Sequence, residues 1–226
     1  MTGEQTPVRR RTLTKDKIVD EAIRLADAEG LEGLSMRRVA QAVGVTPMSL
    51  YNHVANKEQL LDAMVDAVVS EIDSPAPDGP WREMMRARAV SMREVLLSHR
   101  WASVPLIGRI TNGTATLRDA NATLGCLVSA GFTYPQADWA KTAIDSHVYG
   151  YVLQEVNYPV EPEGYQAAAA EHLPEIPQAD FPFLHEAARQ IADADYDGRT
   201  QFVFGLDLIL DGLADWLDGA RRDERG

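Results

Sequence analysis

Residues 44–61 read GVTPMSLYNHVANKEQLL, and the order of their small, capping and apolar side chains decides the fold. Gly44 accepts the left-handed backbone that a tight turn requires. Thr46 offers a side-chain oxygen to cap a helix, and Pro47 stands at the first helical position, where a missing N–H is no loss and the fixed φ helps. Asn56 is the next cap, with Gln59 three residues later as in a capping box. A short helix is therefore expected after Thr46, with a turn before it and a longer helix after it.

The same signals extend outward. Upstream, Ser35 caps a helix over 36–43 that buries Val39, Ala40 and Val43. Thr14 caps an earlier one, where Ile18, Ala22, Leu25 and Ala26 follow the helical period and Gly30 closes the last turn. Downstream, Leu60, Leu61, Met64, Val65, Val68, Val69 and Ile72 form the stripe of a long helix. The run SPAPDGP at 74–80 is rich in proline and glycine and is the expected domain boundary. Beyond it the pattern predicts helices at 80–99, 101–110, 114–131, 135–157, 180–194 and 198–220. No strand signal competes, so the fold class is all-α. The segment 157–182 holds prolines at 159, 162, 174, 177 and 182 around a short helical stretch at 164–172, and is expected to be a long loop, either a flap over a cavity or a connector.

Charge divides the chain in two. Its formal net charge is -12, which taken alone argues against a nucleic-acid partner, because lysine and arginine drive such binding by displacing counterions from phosphates. Residues 1–60 nevertheless carry nine Lys or Arg and eight Asp or Glu, a net of +1, so the deficit belongs to the rest. Arg9, Arg10 and Arg11 precede the first helix as an expected flexible basic arm at 1–13. A positive end on a negative body favours one docking orientation. The sequence shows neither a signal segment nor an apolar run of roughly 18 residues, so a cytoplasmic protein without a membrane span is expected. Cys126, the single cysteine, sits in an apolar run and reads as a buried thiol.

Two short helices joined at Gly44 form a helix-turn-helix, whose second helix can lie in a DNA major groove. Val45, Leu50 and Val54 supply its inward contacts. Pro47, Met48, Ser49, Asn52 and His53 then face outward with Tyr51 at the edge, and Lys57 adds a charge at the next helix's start. The run LSMRRVAQAVGVTPMSLYNHVANKEQLLDAMV, preceded by IVDEAIRLADAEGLEG, resembles the DNA-binding domain of the tetracycline-repressor (TetR) family, above all in LYNHV followed by NKEQLL. The resemblance implies that Tyr51, His53 and Lys57 touch phosphates, and that Arg37, Thr46, Pro47, Met48, Ser49 and Asn52 lie at the bases. Arg37 and Arg38 are adjacent, and motif alignment favours Arg37. The family often has phenylalanine where Val54 stands, a position that packs inward.

The resemblance further implies a helix-turn-helix domain at 14–73 followed by an all-helical regulatory and dimerisation domain at 80–220. The stretches VLLSHRWAS and FVFGLDLILDGLADWL resemble the C-terminal domain of the tetracycline repressors themselves. The final helix has a broad apolar face with Gly205 and Gly212 seven residues apart. Each glycine weakens a helix by roughly 1 kcal/mol, which close approach of another helix would offset. A four-helix dimer interface is therefore expected from Gly150, Gly205, Leu206, Ile209, Gly212, Leu213 and Trp216; the alternative is that the glycines face the protomer's own core. For a ligand site, Met85, Met92 and His99 share one helix face and Ile144, His147 and Tyr151 another, and either set can equally be plain core. Tetracycline repressors hold a drug-bound magnesium ion through a histidine, but His147 does not align with that role, so neither metal nor cofactor is expected.

These features point to a ligand-responsive repressor, a homodimer whose reading helices sit about 34 to 36 Å apart on palindromic double-stranded DNA. A small-molecule effector would release it, and near-complete release needs roughly 10⁴-fold preference for a second conformer. A TetR-like activator or a ligand-independent regulator is the alternative. An enzyme is not expected, since the sequence lacks HExxH, GxSxG and a glycine-rich phosphate loop.

Overall fold

The computed structural model describes residues 13–109, 112–160, 164–194 and 201–223, with side chains to 219. The basic arm at Arg9, Arg10 and Arg11 lies outside the described residues. The described residues are helical, without strand. Helices α1 (Lys15–Glu29), α2 (Met36–Ala42), α3 (Pro47–Tyr51) and α4 (Lys57–Val69) form the N-terminal head. There follow α5 (Trp81–Ser98), α6 (Ser103–Gly108), α7 (Thr114–Ser129) and α8 (Tyr134–Asn157). The chain continues with α9 (Tyr165–His172), a 3-10 turn at Leu173–Glu175, α10 (Pro182–Ala192) and α11 (Phe202–Asp223).

Local chemistry sets the head's boundaries. The hydroxyls of Thr14, Ser35 and Thr46 accept from the amides of Lys17, Arg38 and Ser49, so three of the four helices start on a side-chain cap of the Ser/Thr kind. Asn56 caps α4 by accepting from the Gln59 amide at 2.8 Å. The return half of the capping box lands one residue early, because Gln59 accepts from the amide of Ala55 rather than of Asn56. Apolar burial then fixes the bundle: Ile18, Val39, Leu50, Leu60 and Met64 are wholly enclosed. Helix α4 stops at Val69, short of the expected Ile72, yet Ile72 is still buried after a final turn.

Two compact units divide the chain between Lys141 and Thr142, within α8. In the first, α4 packs against α5, α6 and α7 as well as against α1. Asp66 of α4 also accepts from the amide and the hydroxyl of Thr116 at 2.9 and 3.0 Å, capping the first turn of α7. The proline-rich run is a covalent linker that the packing bridges. Inside this unit, Met85, Met92, Leu96 and Leu127 form a second apolar core, with Trp81 edge-on to Phe132 at 5.2 Å. Arg88 grips Asp119 through two bonds of 2.8 and 2.7 Å, an enclosed pair that ties α5 to α7.

In the second unit, Ile144, Val148 and Val152 of α8 and Phe202, Leu206, Leu210 and Leu217 of α11 are buried. The segment expected as a long loop around a short helix at 164–172 holds that helix as α9, which packs against α10. The Gln166 amide donates to the Ala192 carbonyl at 3.2 Å, and the ring of His185 bonds the Ile176 carbonyl at 2.7 Å. Helix α9 is only eight residues long and no residue of it is buried.

Candidate nucleic-acid interface

The reading helix is five residues long and is held from behind. Gly44 turns the chain at φ 73°, and the Val45 amide donates to the Ala40 carbonyl at 2.9 Å, which ties the turn back to α2. Leu50 and Val54 anchor the helix in the core. Thr46, Pro47, Met48, Tyr51, Asn52, His53 and Lys57 are exposed, and Ser49 is half-buried beside them. Met48 is 75% exposed and Tyr51 47%, values that no core role would leave for side chains this apolar. Asn52 closes α3 and His53 follows it, so both sit past the helix end instead of on its face, with the His53 amide donating to the Leu50 carbonyl.

The two adjacent arginines separate cleanly. Arg38 turns back, its two terminal nitrogens each 2.6 Å from an oxygen of Glu29 and one of them 2.9 Å from the Gly33 carbonyl. That fork raises the guanidinium's pKa and lowers that of Glu29 through the bonds between them. Arg37 is exposed and has no protein partner among the described residues. Lys57 is the first residue of α4 and is exposed, so it adds a cation at the positive end of that helix. The outer side of the head thus offers cations, hydroxyls and amide donors, the set that binds phosphates and base edges.

Three ties behind the head were not read from the sequence. Arg109 donates to Asp62 at 2.8 Å and to Glu58 at 2.6 Å, and these bonds, Asp62 first, raise its pKa. Asp66 caps α7 as described. The four-residue spacing of Glu58, Asp62 and Asp66 on α4 was the available signal. The third tie centres on His99, which was expected in a ligand cavity. Its ring nitrogens face Asp27 at 2.8 Å and Glu71 at 3.3 Å, so polar partners already hold it.

The other expected ligand residues are well packed. Met85, Met92 and Ile144 are buried, and His147 bonds the Phe202 carbonyl at 3.0 Å while stacking on the Phe202 ring at 5.1 Å. Tyr151 packs on both rings, with centroids 5.6 Å from His147 and 5.2 Å from Phe202. A cleft of about 730 Å³ in the first unit is lined by Lys15, Asp16, Asp20, Asp62, Asp66 and Thr114, among others, and by none of the six expected residues. Two interface expectations are also corrected: a Cβ at Gly205 would stand 2.6 Å from the His147 ring, and Leu206 is wholly buried, so both face the protomer's own interior. Gly150 and Gly212 open onto space, Ile209 and Leu213 are half-buried or more open, and Trp216 is partly exposed.

Comparison with known proteins matches residues 18–64 to the family described as bacterial regulatory proteins, tetR family, and residues 74–217 to the tetracyclin repressor-like C-terminal domain. The chain belongs to the TetR family. It is 35% identical over 204 residues to an HTH-type transcriptional regulator of Saccharopolyspora erythraea, covering 89% of this chain and 85% of that one. It is 34% identical over 224 residues to the HTH-type transcriptional repressor DrrR1 of Streptomyces coeruleorubidus, covering 94% and 81%. The structure of the TetR family protein ActR from Streptomyces coelicolor in complex with actinorhodin superposes with a TM-score of 0.76 at 30% identity, covering 91% and 99%. As a TetR-family member the protein is a ligand-responsive transcriptional repressor that binds operator DNA as a homodimer and answers to a small-molecule effector. No helix among the described residues is long and apolar enough to cross a membrane.

Proposed function

We propose that the head at 14–73 binds its operator through two classes of contact. Tyr51, His53 and Lys57 hold phosphates, while Arg37, Thr46, Pro47, Met48, Ser49 and Asn52 lie against the bases, Met48 as an apolar contact to a thymine methyl or sugar. The observation that carries this reading is the contrast between Arg37, exposed and without a protein partner among the described residues, and Arg38, clasped by Glu29. The test is a salt titration of affinity for a duplex selected from a random-sequence library by the wild-type homodimer. Tyr51→Ala is expected to weaken binding at every salt concentration, and unchanged affinity would refute the assignment.

The helical body at 80–220 is the effector-binding and dimerisation domain in this reading. Substitution of Met85, Met92, Ile144, His147 or Tyr151 is expected to change effector affinity. Gly150, Ile209, Gly212, Leu213 and Trp216 are assigned to the contact between copies. The protein acts in the cytoplasm in this reading, as a regulator and not as a catalyst.

A further inference from the structure

His99 follows the last residue of α5, its amide donating to the Val95 carbonyl at 3.0 Å. Its side chain is only 12% exposed, and both ring nitrogens point at carboxylates from different parts of the head. Nδ1 meets Asp27 of α1 at 2.8 Å, and Nε2 meets Glu71, just beyond α4, at 3.3 Å. The same Asp27 oxygen accepts the indole N–H of Trp101 at 2.7 Å. A neutral imidazole has one N–H and one lone pair, so it can satisfy only one of these carboxylates and must turn a lone pair on the other. Only the imidazolium donates to both.

We propose that His99 is a proton-dependent positioning residue for operator binding: as a cation it clamps α1 and the end of α4 to α5, and its deprotonation loosens the head. The proposal rests on the reading of the head as the DNA-binding part. Helices α1 and α4 pack together, and α2 packs on α1 while α3 packs on α2, so a shift between Asp27 and Glu71 reaches the reading helix through packed elements. The titratable groups facing the ring are Asp27 from α1 and Glu71 from the turn after α4; Trp101 adds a neutral donor, and neighbouring Arg100 is exposed. A second bond, from the Asp73 amide to the Ser91 hydroxyl at 2.9 Å, joins the same two segments without any titration.

Burial alone would lower the His99 pKa, but bonds and attraction from Asp27 and then Glu71 outweigh it and the net shift is upward. A raised pKa contributes stability that is fully present below the unfolded value of about 6.5 and is lost as pH rises through the folded value. Both the melting temperature and operator affinity therefore fall as pH rises through the folded value.

The experiment uses the full-length homodimer. Proton NMR of the five histidines, with His99 assigned by its loss in His99→Gln, gives its pKa, and melting curves from about pH 6 to 9 give the stability profile without DNA. Affinity for the selected duplex is then measured over the same range in wild type, His99→Gln and Glu71→Gln, the four other histidines being common to all three. Wild type is expected to lose about three- to tenfold more affinity over this range than His99→Gln. Glu71→Gln, at a half-exposed site that tolerates substitution, is expected to lower the His99 pKa and shift the profile to lower pH. A His99 pKa at or below that of free histidine, or equal pH slopes in wild type and His99→Gln, would overturn the proposal. The NMR and melting arms need no DNA, so failure there is distinct from failure of the DNA-binding reading, which Tyr51→Ala tests separately.

Discussion

The head and the α8–α11 pair are both two-sided, and they leave opposite chemistry open. Behind the head, cations are satisfied within the chain: Arg38 on Glu29, Arg109 on Glu58 and Asp62, His99 on Asp27 and Glu71. In front, Arg37, His53 and Lys57 are exposed without protein partners among the described residues. In α8 and α11 the inward faces are apolar, and the outward ones carry Gly150, Phe204, Leu208, Gly212 and Trp216. An open polar face suits phosphate, because charge left unpaired in the protein is free to replace counterions. An open face of small and large apolar groups suits another protein surface, because burying it removes apolar area from water. The chemistry of the open side, more than net charge, identifies each partner.

The comparison breaks most readily where the open faces are supported. Leu50 is wholly enclosed behind the reading helix, and Leu50→Ala should destabilise the head by about 2–5 kcal/mol. The expected outcome is loss of operator binding with most helical circular dichroism retained. A variant that binds DNA normally would mean that α3 is held by something other than its core. Gly205→Ala comes next. Its Cβ would strike a ring fixed by the Phe202 carbonyl, so overpacking of roughly 1–3 kcal/mol is expected and a lower melting temperature should report it. Gly212→Ala meets nothing within 4 Å in its own protomer and should strengthen the isolated helix by about 1 kcal/mol. If Gly212 lies at the contact between copies, sedimentation will show that same variant dissociating at higher concentration than wild type.

Paired and unpaired cations separate in a salt titration. Lys57→Ala should reduce the slope of log affinity against log salt by about 0.9 for each phosphate that the lysine neutralises, twice per dimer. Arg38→Ala should leave the slope unchanged while lowering the melting temperature slightly, since its fork is half-exposed and screened. A reduced slope in Arg38→Ala would erase the distinction between the two faces.

Much of this was legible in the sequence because it depends on local rules. Thr14, Ser35, Thr46 and Asn56 each cap the helix their chemistry announces, and Gly44 takes the positive φ that a turn demands. The outward residues of α3 followed from knowing which of its side chains pack inward. What stayed hidden depends on groups distant along the chain. His99 is 72 residues from Asp27 and Arg109 is 51 from Glu58, and no periodicity links such pairs. Gly205 looked like an interface glycine because a helical wheel shows that a glycine invites close approach without showing whose side chain approaches. Here it is the ring of His147, from the same chain.

The smallest effects concern acid, and they show why the size of a pKa shift is a poor guide to its consequence. Glu186 on α10 is pulled to about 2 by bonds from Arg189 and then Gln190, whereas Glu29 is lowered by Arg38. For both, the lowered pKa means stability present above the unfolded value and lost as pH falls through the folded one, a window between about 4.5 and 2 for Glu186. Glu186 and Arg189 share one helix turn, so breaking that pair frays α10 alone. Glu29 and Arg38 join α1 to α2 across the turn at Gly33, so breaking theirs loosens the support of the reading helix. Glu29→Gln should therefore weaken operator binding slightly at about pH 7 and Glu186→Gln should not, although the Glu186 carboxyl is the one held so far below its ordinary range. Equal behaviour of the two variants in a binding isotherm would mean that the α1–α2 clasp does not hold the head.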